Sequence, residues 1–183
     1  MIAYLLYIDV VNTVIRLATT IGTELGVGSA SLLGIIVMVQ FIAFPSAIVY
    51  GRLTKKFGGK KMIYFGIFVY ILAIFLTTLI STYGTIFMWI VGAIVGLAQG
   101  GIQSISRSYF AAMLPKEKSN EFFGFFSVFG KFAGVFSPFL LGLLQTQYGI
   151  NAALNVLYVP LVIAVVLMLF VKHEKASVAP VTE

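Results

Sequence analysis

Asp9, Arg16, Arg107 and Lys131 are ionisable side chains set inside otherwise apolar runs of sequence. A charge held at the centre of a bilayer costs about 3 kcal/mol on insertion scales, so each needs a partner or a wet cavity. Asp9, Asn12, Thr13, Arg16 and Thr20 recur at i, i+3, i+4, i+7 and i+11, which is one face of a helix. Gln99, Gln103, Ser106 and Arg107 form a second such face. At a helical rise of about 1.5 Å per residue, Asp9 lies about 12 Å from the start of its segment and Lys131 about 15 Å from the start of its own at Glu121. The shared level predicts an ion pair. Arg107, about 9 Å from the end of its segment, is a second candidate partner for Asp9. Arg16, about 22 Å along, meets no acid at its level, so solute, water or chain outside this sequence must supply the counter-charge.

The chemistry these groups suit is the handling of a polar solute within a membrane. Asp9 and Lys131 would line a cavity, with Asn12, Arg16, Gln99 and Gln103 presenting polar groups to the solute. A buried carboxylate beside a cation can change protonation when the pair separates, which makes Asp9 a proton-coupling candidate. The structural alternative stays open: a permanent pair fixing two helices, with the hydroxyls and amides joining neighbours, as they often do in membrane bundles.

The elements that position these residues follow from hydropathy. The 183 residues are 60% hydrophobic and only 10% charged, with a mean hydropathy of +1.05. Apolar segments fall at about 1–21, 31–50, 62–80, 85–110, 121–145 and 151–171, each long enough to cross a hydrocarbon core of about 30 Å. The breaks carry turn residues, 26–31, 81–84, 115–120 and 147–151, or the basic run 52–61. The expected fold is an all-α membrane protein, one transmembrane domain over 1–171 followed by a polar tail, 172–183.

Arg52, Lys55, Lys56, Lys60 and Lys61 follow the second segment, Lys116 and Lys118 the fourth, and Lys172 and Lys175 the sixth, whereas the three intervening loops carry no Lys or Arg. Basic residues are held on the cytoplasmic side, so both termini are placed there, and in a bacterium the membrane would be the plasma membrane. The net charge of +6 then points to lipid headgroups rather than nucleic acid. With no cysteine there is no disulfide or thiol chemistry, and no cofactor motif occurs. The N-terminus has no basic region or cleavage site of a secretory signal, so the first segment should be retained. Met1 at the boundary of that segment suits a split or truncated reading frame.

Segments one and four are polar, while three and six are almost unbroken apolar runs that look lipid-facing. A polar, an intermediate and a greasy helix, then the same again, is the pattern of two inverted three-helix repeats, whose shared midplane holds the solute in secondary transporters. Two ladders spaced by four add close-packing faces: Gly92, Gly96 and Gly100, then Gly130, Gly134, Pro138 and Gly142. Pro138 inside the fifth segment is expected to bend it.

The run 51–61, GRLTKKFGGKK, resembles the signature loop of the major facilitator superfamily, with Gly51, Leu53, Lys56, Gly58 and Lys60 matching and Lys55 standing where an acid is usual. The stretches YLLYIDVVNTVIRLATTIGTELG and GLAQGGIQSISRSYFAAMLPKEKSNEFFGFFSVFGKFAGVFSPFLLG resemble the C-terminal half of the vacuolar, autophagy-related amino-acid effluxer branch and its bacterial relatives. The resemblance implies transport of a small solute, amino acids first, by the second half of a twelve-helix protein. It also implies a partner: a second six-helix half, as a separate chain, a missing N-terminal part or another copy. Gly51, Arg52, Lys55, Lys56, Gly58, Lys60 and Arg107 would then form a cytoplasmic gate. A non-transporting module that binds a partner is the alternative. An enzyme is disfavoured, since no HExxH, GxSxG or phosphate-cradling motif occurs, and a channel lacks a filter segment or charge ring.

Overall fold

A computed structural model describes residues 2–112 and 134–170, with Gly124 and Val128 between them, and the described residues are helical with no strand. Lys131, Gly130, the basic loop 115–120 and the tail 172–183 lie outside the described residues. Helices α1 (Ile2–Arg16) and α2 (Ala18–Glu24) come first, followed by α3 (Ser29–Phe57), α4 (Gly59–Thr78), the short α5 (Ile80–Tyr83) and α6 (Thr85–Ala112). Then come α7 (Phe136–Leu154), a 3-10 turn at Asn155–Leu157 and α8 (Tyr158–Phe170). Four helical stretches are long and apolar enough to cross a membrane, five if α1 and α2 are one bent span.

The boundaries depart from the sequence expectation in two ways: two expected breaks shrink to single residues, and two expected segments are interrupted. The expected loop 52–61 does not form. Instead α3 runs to Phe57 and α4 begins at Gly59, and only Gly58 (φ 87°, ψ 149°) turns the chain. Only glycine adopts that conformation without strain, so one residue does the work of a loop. The break expected at 147–151 is likewise a kink at Gly149 (φ 77°, ψ 168°), which divides the last apolar stretch into 136–148 and 150–170. Within the first segment α1 and α2 meet at Leu17 with a 59° bend. The fifth segment, expected to run unbroken over 121–145, has a turn at 134–135. Pro138 therefore sits in the first turn of α7, where its missing N–H costs no helical bond.

Apolar surface gains little by leaving hydrocarbon, so close backbone contact and interhelical hydrogen bonds hold such a bundle. The ladder on α6 supplies the contact. A Cβ on Gly96 would lie 3.0 Å from the Val39 carbonyl oxygen, and one on Gly92 2.6 Å from Ile35 Cγ2; one on Gly100 would overlap the Ala43 carbonyl. These positions let α3 and α6 touch backbone to backbone, and Ser46 Oγ donates across the seam to the Leu97 carbonyl. The second ladder behaves differently, with Gly134 against the Arg16 guanidinium and open space around Gly142.

The core runs through α4, where Ile63, Ile67, Tyr70, Ala73 and Ile74 are buried, and α8, where Leu161 and Ala164 are. Each also exposes a greasy stripe, Phe65, Phe68 and Phe75 on α4 and Val162, Val166 and Leu169 on α8. α3 exposes more apolar surface still, through Leu33, Val37, Phe41, Phe44 and Ile48.

Candidate functional site

α1 carries its polar stripe against α6 on one side and the start of α7 on another. Tyr7 on α1 donates to Ser106 Oγ on α6 at 2.6 Å, and Ser106 donates onward to the Ile102 carbonyl at 2.5 Å. The two polar helices are thus joined by a buried hydroxyl chain.

Asp9 is 3% exposed, and its Oδ2 accepts from the Ser137 backbone N–H at 2.9 Å and from the Ser137 hydroxyl. Ser137 is the second residue of α7, and the first intrahelical bond of that helix runs from Phe139 N–H to the Val135 carbonyl. The Ser137 N–H has no acceptor within α7, and Val135 at the cap position supplies no side chain to it. Asp9 therefore caps α7 from another helix, with its negative charge at the positive end of the α7 dipole. Seven residues along, Arg16 Nη1 donates to the Gly134 carbonyl at 3.3 Å. An acid and a base on one helix face thus hold a donor and an acceptor on either side of the break at 134–135. Thr13, between them, is buried and turns its hydroxyl back to the Asp9 carbonyl at 2.7 Å.

This arrangement revises the expected use of the charges. One Asp9 oxygen is occupied by Ser137, and Oδ1 has no hydrogen-bond partner among the described residues. Lys131 lies outside those residues, so the expected Asp9–Lys131 pair is not described. Ser137 was missed in the sequence, although a Ser-Pro pair signals a helix start, since Pro is favoured in the first turn.

A cavity of about 90 Å³ opens where α1 bends into α2, walled by Val14 and Ile21 from those helices, Val39 from α3, Ile74 from α4 and Gln99 from α6. Among the described residues its lining contains no charged side chain, and its polar members are Gln40, Thr77 and Gln99. Thr77 satisfies itself on the Ala73 carbonyl at 2.8 Å. Gln99 is 8% exposed, and its Oε1 has no hydrogen-bond partner among the described residues. Of the described residues expected to line a solute cavity, only Gln99 lines this one. Asn12 and Gln103 are half-buried elsewhere, and Arg16 is largely exposed on the side toward Gly134. The charges serve helix termini, and apolar side chains close round the remaining space.

At the far end of α3, Gly51, Arg52, Lys55 and Lys56 are exposed, and Lys56 Nζ sits 5.5 Å over the Phe57 ring. Lys60 is buried in the first turn of α4. A Cβ on Gly59 would come within 2.7 Å of the Tyr109 ring, so the α3–α4 junction abuts the end of α6 that carries the exposed Arg107. The expected gate residues are gathered at one end of the bundle, on helices rather than in a loop.

Long apolar helices, a charged clamp between α1 and α7 and a small cavity lined by Gln99 define a polytopic α-helical membrane protein. Residues 1–180 match the family described as vacuole effluxer Atg22 like, and the chain belongs to that family. It is 41% identical over 178 residues to the MFS-type transporter YxiO of Bacillus subtilis, covering 97% of this chain and 41% of that protein. It is also similar to Autophagy-related protein 22 of Kluyveromyces lactis, 35% identical over 78 residues that are 42% of this chain and 16% of that one. Autophagy-related protein 22-1 of Aspergillus niger is 32% identical over 91 residues, 49% of this chain and 15% of that one. The chain thus spans about two fifths of the length of the bacterial relative. The family description and that relative's name denote a transporter rather than an enzyme.

Proposed function

We propose that the chain is the C-terminal, six-helix half of a secondary transporter that moves a small solute, amino acids first, by alternating access. The observation that carries the reading is Gln99: a buried carbonyl oxygen without a donor among the described residues, facing a cavity at a helix bend. A buried acceptor left unmade costs about 1–3 kcal/mol, and a solute N–H or water can supply what the protein does not. Two inverted three-helix repeats are supported by the pairing of helices. Exchanging first with fourth, second with fifth and third with sixth turns the α4–α6 contact into the α8–α1 contact, both extensive, whereas the α3–α6 seam has only a slight counterpart between α1 and the described part of the fifth segment.

A second half is supported by the exposed face of α3 and by the relative's greater length. A cytoplasmic position for both termini is supported by the loop charges, and in a bacterium the membrane would be the plasma membrane. The clamp offers a coupling step. When Asp9 takes a proton it loses the charge that caps α7, and the 134–137 segment is freed to move relative to α1. The test is solute flux into vesicles, with amino acids as first solutes, for the chain with and without an N-terminal half, and for Gln99→Leu and Asp9→Asn in the complete protein. Flux without the second half, or a Q99L variant with unaltered KM, would overturn the reading. Proton-driven uptake by D9N at the normal rate would remove the coupling role alone.

A further inference from the structure

A groove of about 720 Å³ lies between α4 and the turn that joins α7 to α8, apart from the cavity at Gln99. Phe68, Leu72 and Phe75 of α4 form one wall, and Asn151, Asn155 and Tyr158 the other. Phe68 to Thr78, the length of the α4 wall, is about 15 Å at about 1.5 Å per residue, half the thickness of a hydrocarbon core of about 30 Å. Thr78 is the last residue of α4 and Asn151 the second beyond the Gly149 kink, so the polar rim lies where two spans end. The groove therefore has the depth of one leaflet, apolar toward the bilayer centre and amide-lined at the interface.

Asn151 and Asn155 stand one helical turn apart, are exposed and make no side-chain hydrogen bond among the described residues. Each amide offers two N–H donors and an acceptor. Among the described residues no charged side chain lines the groove, and its rim suits an uncharged acceptor. We propose that this groove is a binding site for a glycerophospholipid of the leaflet opposite the lysine-rich α3–α4 junction. One acyl chain lies along Phe68, Leu72 and Phe75, and its ester carbonyls accept hydrogen bonds from Asn151 and Asn155. Hydrocarbon and ester occur in that order along one lipid chain, as the two halves of the groove require. A neutral rim also predicts indifference to headgroup charge.

The test uses the chain's single tryptophan, Trp89. The full chain carrying Trp89→Phe and Phe75→Trp is reconstituted in phosphatidylcholine vesicles containing increasing amounts of phosphatidylcholine brominated at mid-chain. A second reporter, Trp89→Phe with Phe170→Trp, reads the ordinary lipid annulus. The groove reporter should be half-quenched at a brominated fraction about threefold lower than the annulus reporter, as a few-fold preference for the site requires. Asn151→Leu with Asn155→Leu should bring the two curves together, as should Ala152→Phe, which narrows the groove. Brominated phosphatidylglycerol should quench as phosphatidylcholine does. Coincident curves in the parent reporters overturn the site, and an excess that survives loss of both asparagines overturns the ester recognition. Flux plays no part in the readout, so failure here leaves the transport reading standing, and the reverse holds equally.

Discussion

Replacing Asp9 and Ser137 singly and together measures the cap that α1 provides to α7. Oδ2 accepts two hydrogen bonds, from the Ser137 N–H at 2.9 Å and from its hydroxyl. Hydrogen bonds to a charged group contribute about 1.5–3 kcal/mol each, against about 0.5–1.5 for neutral ones. Asp9→Asn keeps an acceptor and removes the charge, so both bonds fall to the neutral range and the bundle should lose about 2 kcal/mol. Ser137→Ala removes the hydroxyl bond and leaves the amide bond, a loss of about 1–2 kcal/mol, toward the low end because interhelical bonds in bilayers average well under their expected worth. Asp9→Ala orphans the Ser137 amide as well and should be the most damaging of the three. The assay is reversible unfolding in mixed detergent micelles, followed by circular dichroism. The double variant Asp9→Ala with Ser137→Ala should show a coupling energy above about 1 kcal/mol, about a fivefold change in the unfolding constant. A coupling under about 0.5 kcal/mol would mean that the two residues are merely neighbours, and the cap would fall with it.

The remaining predictions probe other contacts. Gly100→Val drives a branched side chain into the Ala43 carbonyl and should destabilise the bundle by about 3 kcal/mol or more, whereas Gly142→Ala, with open space around it, should be within about 0.5 kcal/mol of the parent, both read in the same unfolding assay. Tyr7→Phe removes the donor to Ser106 and should cost about 0.5–1.5 kcal/mol, with Ser106 retaining its bond to the Ile102 carbonyl. Arg16→Gln should leave the Gly134 carbonyl with a weaker donor and cost less than about 1 kcal/mol, because the Arg16 side chain is largely exposed; a larger loss in unfolding would show a buried charge pair instead. Gly58→Ala strains a left-handed position and should cost about 1 kcal/mol or more, detectable as well by faster proteolysis at the α3–α4 junction.

Periodicity made the polar faces of α1 and α6 legible, because an interval of three or four residues is visible without any knowledge of neighbours. The face holding Asp9, Thr13 and Arg16 is real, and so is the close packing promised by Gly92, Gly96 and Gly100. What those faces meet was not legible. The depth argument paired Asp9 with Lys131, which lies outside the described residues; among the described ones the carboxylate meets the donors of a helix terminus, which leave no charge in the sequence to find. The boundaries failed for a related reason. Hydropathy marks where basic residues begin, at Arg52, whereas the helix continues until its backbone is turned, at Gly58. α3 has 29 residues, about 43 Å, so its last turns extend beyond a hydrocarbon core of about 30 Å and carry their charges into the headgroup layer while still helical.

The separation of charge from cavity bears on how such a helix bundle could move. A cavity whose walls come from both sides of the α1–α2 bend changes shape whenever that bend opens or closes. The bend lies directly after Arg16, and Arg16 and Asp9 hold the chain at 134–137. Moving α7 relative to α1 thus requires breaking bonds at the clamp, and the cavity walls Val14, Ile15 and Ala18 lie on the same short stretch that carries it. A charged clamp beside an uncharged pocket gives such a coupling a direction. The pocket can take up or release an uncharged group without altering the charge on the clamp, while a proton on Asp9 alters the clamp without entering the pocket. If the two sites were one, with Asp9 facing the solute, solute binding and protonation would compete for the same oxygen. Here Asp9 Oδ2 faces Ser137, and Gln99 faces the cavity from α6, so under the proposed transport the two events would act on separate atoms.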